Sequence, residues 1–526
     1  MTVDVDYDAP TDAIAPPSGA WESVGRPGSV PALTIIWHPD LHRVGDIAPL
    51  TELVGTAAAQ LTRSEPVFFR PGSDEGRPID HSVMNRAALE VSASGGIFEV
   101  RRGTPTAWVE MDGALLDKPR RLSWDDLRRG IILTVGGQFV FCLHVVQYPI
   151  TRGPDLGLLG TSDAIEEVRR AIKRVADRST PQLIRGESGT GKELTAQALH
   201  ALGPRRSGQF VPLNMTLLRP ERAAADLFGY KKGAFTGATA DSAGHFGEAA
   251  GGTIFFDELG LTVVDVQPML LRVVDDCVVQ PLGSAKARKI DVRIVAATDA
   301  KLEQAVADGR FDSSLYNRFT MRSAIKLPPL RGRKEDVGVL LVHFLRKQLG
   351  DAGLHLLRTP DHKDRPWLSP LDIATVALSS LSRNVRSLEG LAEDLASAVK
   401  STPRSDAHEV ILDFLSRHSP PRGEMEKAAV AQPTRSSRRA GPTSDRVLAA
   451  LESTDWDRGR AAEVLGVSRV TFWRWLAKFP ELRRVSHISA PDLRETIEDC
   501  GGDLDLVAKK LGTTVMLVRS RLGHRR

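Results

Sequence analysis

Cysteine is scarce: Cys142, Cys277 and Cys500 are the three in 526 residues, far apart and without CxxC spacing. That excludes a disulfide framework and a thiolate zinc site and leaves buried or incidental thiols. Also missing is any apolar run of the roughly 18 to 20 residues needed to cross a bilayer. The acidic opening MTVDVDYDAP lacks the basic, then apolar, order of a signal peptide. A cytoplasmic chain with no membrane partner is therefore expected. Strong net charge is absent too, at +4, although arginine and lysine concentrate after about Arg435. A basic end suits nucleic acid or a solvated face, and charge alone does not choose between them. What is present is ordinary globular composition, 41% hydrophobic and 26% charged, which excludes general disorder and a fibrous repeat. The length predicts about three or four domains, each able to fold on its own.

Residues 1–30, rich in Pro, Asp, Ala and Gly, read as a disordered leader. Short β-like runs separated by turn signals follow, such as "ALTIIWH", "GIFEVRR" and "GIILTVGGQFVFCLHVV", and predict a β-sandwich over 31–147. From 157 to 400 the strands "PQLIR", "GTIFFD" and "DVRIVAAT" alternate with helical stretches, the α/β sign of a mostly parallel sheet, with a helical lid over about 330–400. Residues 417–443, rich in Pro, Ser and Arg, read as a flexible linker. Two helix-turn-helix units, 444–482 and 489–526, are predicted from a weak repeat sharing Ala-x-x-Leu-Gly-x-Ser/Thr.

The stretch "LIRGESGTGKE" has the order of a P-loop: strand, glycine-rich loop, lysine, helix. Gly186, Glu187, Ser188, Gly189, Thr190 and Gly191 would curl backbone N–H groups round phosphate oxygens, with Lys192 reaching the terminal phosphates. Glu193 stands where many P-loops carry Ser or Thr on magnesium, so another residue must hold the metal. In "GGTIFFDELG" an apolar strand ends in Asp257 and Glu258, a Walker-B pattern. Asp257 would hold Mg²⁺ through water and Glu258 would polarise the attacking water, which makes ATP with Mg²⁺ the expected ligand.

These motifs, with "LFGYKKGAFTGA", "LLRVVDDCVVQPLGSAKARKIDVRIVAATD" and "LPPLRGRKEDV", resemble in order and spacing the AAA+ domain of sigma-54-dependent bacterial transcription activators. The resemblance implies a homo-oligomeric ring, hexameric in the family and dimeric on DNA, working on sigma-54 RNA polymerase. Gly233, Ala234, Phe235, Thr236, Gly237 and Ala238 match the GAFTGA loop that touches sigma-54; glycines keep such a loop pliable. Asn214 matches the asparagine that restrains the catalytic glutamate, or is a turn amide. Arg386 matches the nucleotide-reading arginine of the lid, without the family's usual Trp-Pro-Gly before Asn384. Arg318 matches the second of two subunit-crossing arginines, but Asp312 occupies the place of the first and Arg310 lies two residues earlier. Asp299 stands where the family usually has Asn. Both departures predict turnover that is slow or that needs the full oligomer.

The strand-rich N-terminal region resembles a forkhead-associated domain, a phosphothreonine-reading sandwich, with Arg63 and Ser64 the candidates for phosphate. A second signature of that family has become Met84-Asn85-Arg86. At the other end "RAAEVLGVSRVTFWRWLAKF" resembles a Fis-type helix-turn-helix, which implies Ser468, Arg469, Thr471, Phe472 and Arg474 facing a major groove of double-stranded DNA. Two functions follow: a DNA-tethered ATPase that remodels a closed promoter complex under phosphothreonine control, or an ATP-binding DNA-bound repressor or scaffold with little turnover.

Overall fold

The computed structural model describes residues 28–54, 58–84, 88–299, 301–321, 324–359, 366–401, 405–418 and 444–454, with isolated positions beyond these. The chain begins with β1 (Ser29–Trp37), β2 (Ile47–Pro49), β3 (Ala58–Leu61), β4 (Phe68–Phe69), β5 (Gly76–Arg77), β6 (Leu89–Ser94) and β7 (Ile97–Arg102). Then come β8 (Val109–Met111), β9 (Ala114–Leu115), β10 (Arg120–Ser123), the short helix α1 (Trp124–Arg129), β11 (Ile131–Val135) and β12 (Phe139–Gln147). They form one sheet in the order β5-β4-β2-β1-β12-β11-β8-β9 and a second in the order β10-β7-β6-β3. Leu33, Ile35, Phe141 and Leu143 from the first sheet share a core with Leu89, Val91, Phe98 and Val100 from the second, so the unit is a β-sandwich.

The run "IILTVGGQFVFCLHVV" turns at Gly136 and Gly137, both with positive φ, and supplies the hairpin β11–β12. Antiparallel sheets commonly leave one face wet and alternate accordingly. Here β1 and β12 are buried almost throughout. Their second face is covered: Ile36, Trp37, Ile132, Val140 and Cys142 share a core with Leu341, Leu345, Ile373 and Leu388 far along the chain. The sandwich and the helices that follow the central sheet therefore share one apolar core.

The central unit holds α2 (Asp163–Val175), β13 (Gln182–Arg185), α3 (Lys192–Leu202), β14 (Phe210–Asn214), α4 (Ala223–Phe228), α5 (Gly244–Glu248) and β15 (Thr253–Asp257). It continues through α6 (Gln267–Asp276), β16 (Val278–Val279), β17 (Arg288–Lys289), β18 (Arg293–Thr298), α7 (Leu302–Ala307), α8 (Ser313–Thr320) and β19 (Ile325–Lys326). The parallel sheet runs β14-β15-β18-β13-β19. Alternate residues of its strands face opposite cores. Ile184, Phe255, Val295 and Ala297 pack on the layer of α2 and α3, and Leu183, Ile254, Phe256, Ile294 and Ala296 on the layer of α4, α6 and α8. Burial on both faces is why these strands read as continuous apolar runs.

The lid comprises α9 (Val337–Gly353, with a break at Gly350), α10 (Pro370–Leu378), α11 (Asn384–Lys400) and α12 (Ala407–His418). Beyond it α13 (Ser444–Ser453) buries Val447 and Leu451. The predicted leader and linker lie almost wholly, and most of both helix-turn-helix units lie, outside the described residues; Arg417 and His418, at the predicted start of the linker, instead end α12.

Candidate nucleotide site

β13 delivers the chain to the carboxyl edge of the parallel sheet, where open α/β sheets place their ligand crevice. The loop that follows turns at Gly189 and Gly191, with φ of 75° and 103°, and Gly191 caps α3. Lys192 is buried, its Nζ donating to the Gly186 carbonyl at 3.1 Å and lying 3.6 Å from Glu258 Oε1. Thr190 Oγ1 donates to the Glu187 carbonyl at 2.7 Å, which closes the loop on itself. Glu193 lies on the exposed side of α3, within 3.4 Å of Gln197 Nε2.

Asp257 ends β15 and Glu258 follows in the left-handed region, at φ 57°, a strained geometry that clusters at functional sites. Burial raises the Glu258 pKa, nearby Lys192 opposes the rise, and the charges of Asp299 and Asp257 add to it. Its Oε2 is buried without a hydrogen-bond partner. An unsatisfied carboxylate oxygen beside a buried lysine fits a site built for a polar ligand.

Residues that sequence reasoning passed over hold the loop to the lid. Asn384, buried and at φ 51°, donates through Nδ2 to Glu187 Oε2 at 3.2 Å and the Ser188 carbonyl at 3.1 Å, while its Oδ1 accepts from Leu330 N at 2.8 Å. Arg331 makes two 2.6 Å bonds to Glu187, which lower that carboxyl's pKa. Val385 N donates to the Gly189 carbonyl, and a β-carbon at Gly189 would strike the Arg383 carbonyl at 2.0 Å. The signal available in the sequence was the Asn in "SRNVRS", a residue that tolerates left-handed backbone. Together these elements enclose a cavity of about 470 Å³ whose walls include Gly189 to Lys192, Asp257, Glu258, Arg333 and Arg386.

Other expected site residues lie elsewhere. Asn214 pairs with Asp257 in register, but its Oδ1 accepts from Thr216 N at 2.9 Å and Thr216 Oγ1 at 2.7 Å, so its side chain serves the turn amide role. Arg318 is half exposed and paired with Asp275 at 2.5 Å. Asp312 caps α8 by accepting from Leu315 N at 2.8 Å, and Arg310 pairs with Asp308 at 2.7 Å.

A "Sigma-54 interaction domain" family model matches residues 158–324, and a "Bacterial regulatory protein, Fis family" model matches 444–479. The NtrC transcriptional regulator of Rhizobium meliloti is 36% identical over 346 residues, 60% of this chain and 68% of that protein. The chain belongs to the sigma-54-dependent activator family. The Nif-specific regulatory protein of Herbaspirillum seropedicae is 34% identical over 61% of each chain, and the NtrC of Escherichia coli K12 is 38% identical over 54% of this chain and 55% of its own. The chain thus spans little more than half the length of these two relatives.

The GAFTGA loop is compact. Gly233 N donates to the Ala238 carbonyl at 2.9 Å and Ala238 N to the Phe235 carbonyl at 3.0 Å, with Gly233 and Gly237 at positive φ. Phe235 is 38% exposed and meets the Tyr230 ring edge-on, centroids 4.9 Å apart. The backbone of Tyr230 and Lys231 is tied to Ser242 and Leu282, which anchors the loop's base.

In the sandwich Arg63 is exposed and paired with Asp80 at 2.9 Å, while Ser64 Oγ lies 3.4 Å from Thr62 Oγ1. Asn85 and Arg86 lie outside the described residues, as do Ser468, Arg469, Thr471 and Arg474. Phe472, expected at the DNA face, is fully buried instead. An apolar ring gains more from burial than from contact with water.

Proposed function

We propose that this chain is a sigma-54-dependent transcriptional activator that binds upstream DNA and uses ATP hydrolysis to remodel the sigma-54 RNA polymerase closed complex. The observation that supports it is the presence in one chain of a lid-closed P-loop cavity and a GAFTGA loop presenting half-exposed Phe235. In this reading Lys192 binds the terminal phosphates and Glu258, 3.6 Å from Lys192 Nζ, polarises the attacking water as the carboxylate. Asp257 would hold Mg²⁺, which supplies charge neutralisation at the phosphates when bound. Arg386 reads the nucleotide from the lid, and Arg318 reaches a neighbouring copy in a ring.

The exposed Arg63 supports a phosphothreonine-reading role for the sandwich. A second reading, an ATP-binding repressor or scaffold, draws on Asp312, whose carboxylate caps a helix where an arginine finger is absent. The deciding experiment measures ATP turnover and output at a sigma-54 promoter for the parent and Lys192→Ala. Loss of both in the variant is expected. Unchanged promoter output in Lys192→Ala would defeat the motor reading, and parental binding of ATP without turnover would favour the scaffold.

A further inference from the structure

Helix α9 faces the nucleotide cavity and the sandwich at once. Leu340, His343, Phe344 and Lys347 line the cavity, whereas Leu341, Val342 and Leu345 belong to the core shared with Ile36, Trp37 and Val140. The residues leading into α9 alternate in the same way. Arg333, almost fully buried, lines the cavity. Lys334 Nζ donates to the Gly130 carbonyl of the sandwich at 2.8 Å. Glu335 lies 3.7 Å from His144 Nδ1, and His144 Nε2 lies 2.7 Å from Thr34 Oγ1. Asp336 accepts from Thr161 N at 2.6 Å and Ser162 N at 2.8 Å at the start of α2.

The tightest approach is at Gly338. A β-carbon there would sit 2.1 Å from the Ile36 carbonyl oxygen and 2.8 Å from its carbon, against an ordinary contact of 3.4 to 4 Å. Both obstacles are backbone of β1, so helix and strand must part by about an ångström to admit it. Local preference points the other way, since alanine favours a helix interior over glycine by about 1 kcal/mol. One residue later Val339 packs against Gly45, where a β-carbon would meet it at 2.6 Å.

We propose that Gly338 is a positioning residue for the nucleotide site: by letting β1 lie directly on α9 it sets the lid wall of the cavity, and so couples the sandwich to nucleotide binding. This rests on the nucleotide reading above. The coupling is reciprocal. A nucleotide that holds α9 in place tightens β1 and β12 against it, and anything that lifts β1 weakens the nucleotide's hold. A shift of about 1 Å is enough to matter in a preorganised site.

The test uses the full chain with ADP and ATP as probes, comparing the parent, Gly338→Ala and Lys334→Ala. ADP affinity, kcat and KM are measured, and amide hydrogen exchange of residues 29–37 and 139–147 is followed with and without ADP. Gly338→Ala is expected to raise the ADP Kd and the KM about tenfold, with kcat changed less than about threefold. Lys334→Ala should move them in the same direction by about threefold. ADP should slow exchange in the parent's β1 and β12, and that protection should vanish in Gly338→Ala, which a role in folding alone would not produce. Parental affinity in a folded Gly338→Ala, or exchange in the parent that ignores ADP, overturns the proposal. Should Gly338→Ala not fold, Lys334→Ala and the parent's exchange decide. A parent that binds no ADP overturns the nucleotide reading as well, and is told apart by that result.

Discussion

Replacing Asn384 by alanine removes every bond between its amide and the P-loop. Leu330 N, which now donates to Asn384 Oδ1 at 2.8 Å, is left buried without a partner, a loss of about 1–3 kcal/mol. The left-handed backbone, φ 51°, adds about 1 kcal/mol for a residue with a β-carbon and no local polar compensation. The sum is about 2–4 kcal/mol. Asn384→Gly keeps the bond losses and relieves the backbone, so it should lie about 1 kcal/mol above the alanine variant, reduced by glycine's extra unfolded entropy. Urea unfolding of the full chain, followed by helical circular dichroism, gives the stabilities, and ADP titration tests the loop. Freed from the Glu187 and Ser188 contacts, the loop should bind ADP about tenfold more weakly in both variants. An alanine variant within about 0.5 kcal/mol of the parent, well inside surface behaviour, would refute the view that this amide straps the loop to the lid.

Two further outcomes follow from buried or capping carboxylates. Burial first, then the charge of Asp336, pushes the Glu335 carboxyl from 4.5 up to about 8, with Asp163 adding to the rise and Arg333 opposing it. Between those values the folded chain keeps a proton that the unfolded chain releases, so stability falls as pH rises across that window. His144, lowered by burial from 6.5 to about 4, acts in the opposite sense and only below pH 6.5. Glu335→Gln should therefore gain on the parent between pH 6.5 and 8 in urea unfolding; a gap that does not widen contradicts the assignment. Asp312→Ala removes the cap of α8 and should cost about 1 kcal/mol. Asp312→Asn should cost less than half of that by thermal unfolding, and equal losses would assign the effect to charge rather than capping.

The nucleotide loop, the Asp257–Glu258 pair and the GAFTGA loop were legible because each is a short contiguous pattern whose chemistry depends on local spacing. The continuous apolar strands of the parallel sheet were legible for the same reason, although which residue faces which core was not. Asn384 and Arg331 were not. Their partner Glu187 lies 197 and 144 positions away, respectively, and nothing in the intervening sequence announces the contact. Asn214 shows the opposite failure: its place beside Asp257 follows from strand register, yet the nearer Thr216 takes its oxygen.

By itself the sequence marked the strands of the sandwich and of the parallel sheet, the glycine-rich loop and the GAFTGA stretch, since these rest on periodicity and short motifs. Only tertiary structure decided that the sandwich and lid share one core. The run "FVFCLHVV" carries apolar residues on both faces of β12, and its pattern demands that both be covered. What covers the second face is a lid helix some two hundred residues later, because the burial of apolar surface is non-directional and records no partner in the strand that needs one. The glycine that admits β1 is likewise ordinary in sequence, and its meaning lies in a carbonyl oxygen 2.1 Å from where a β-carbon would stand.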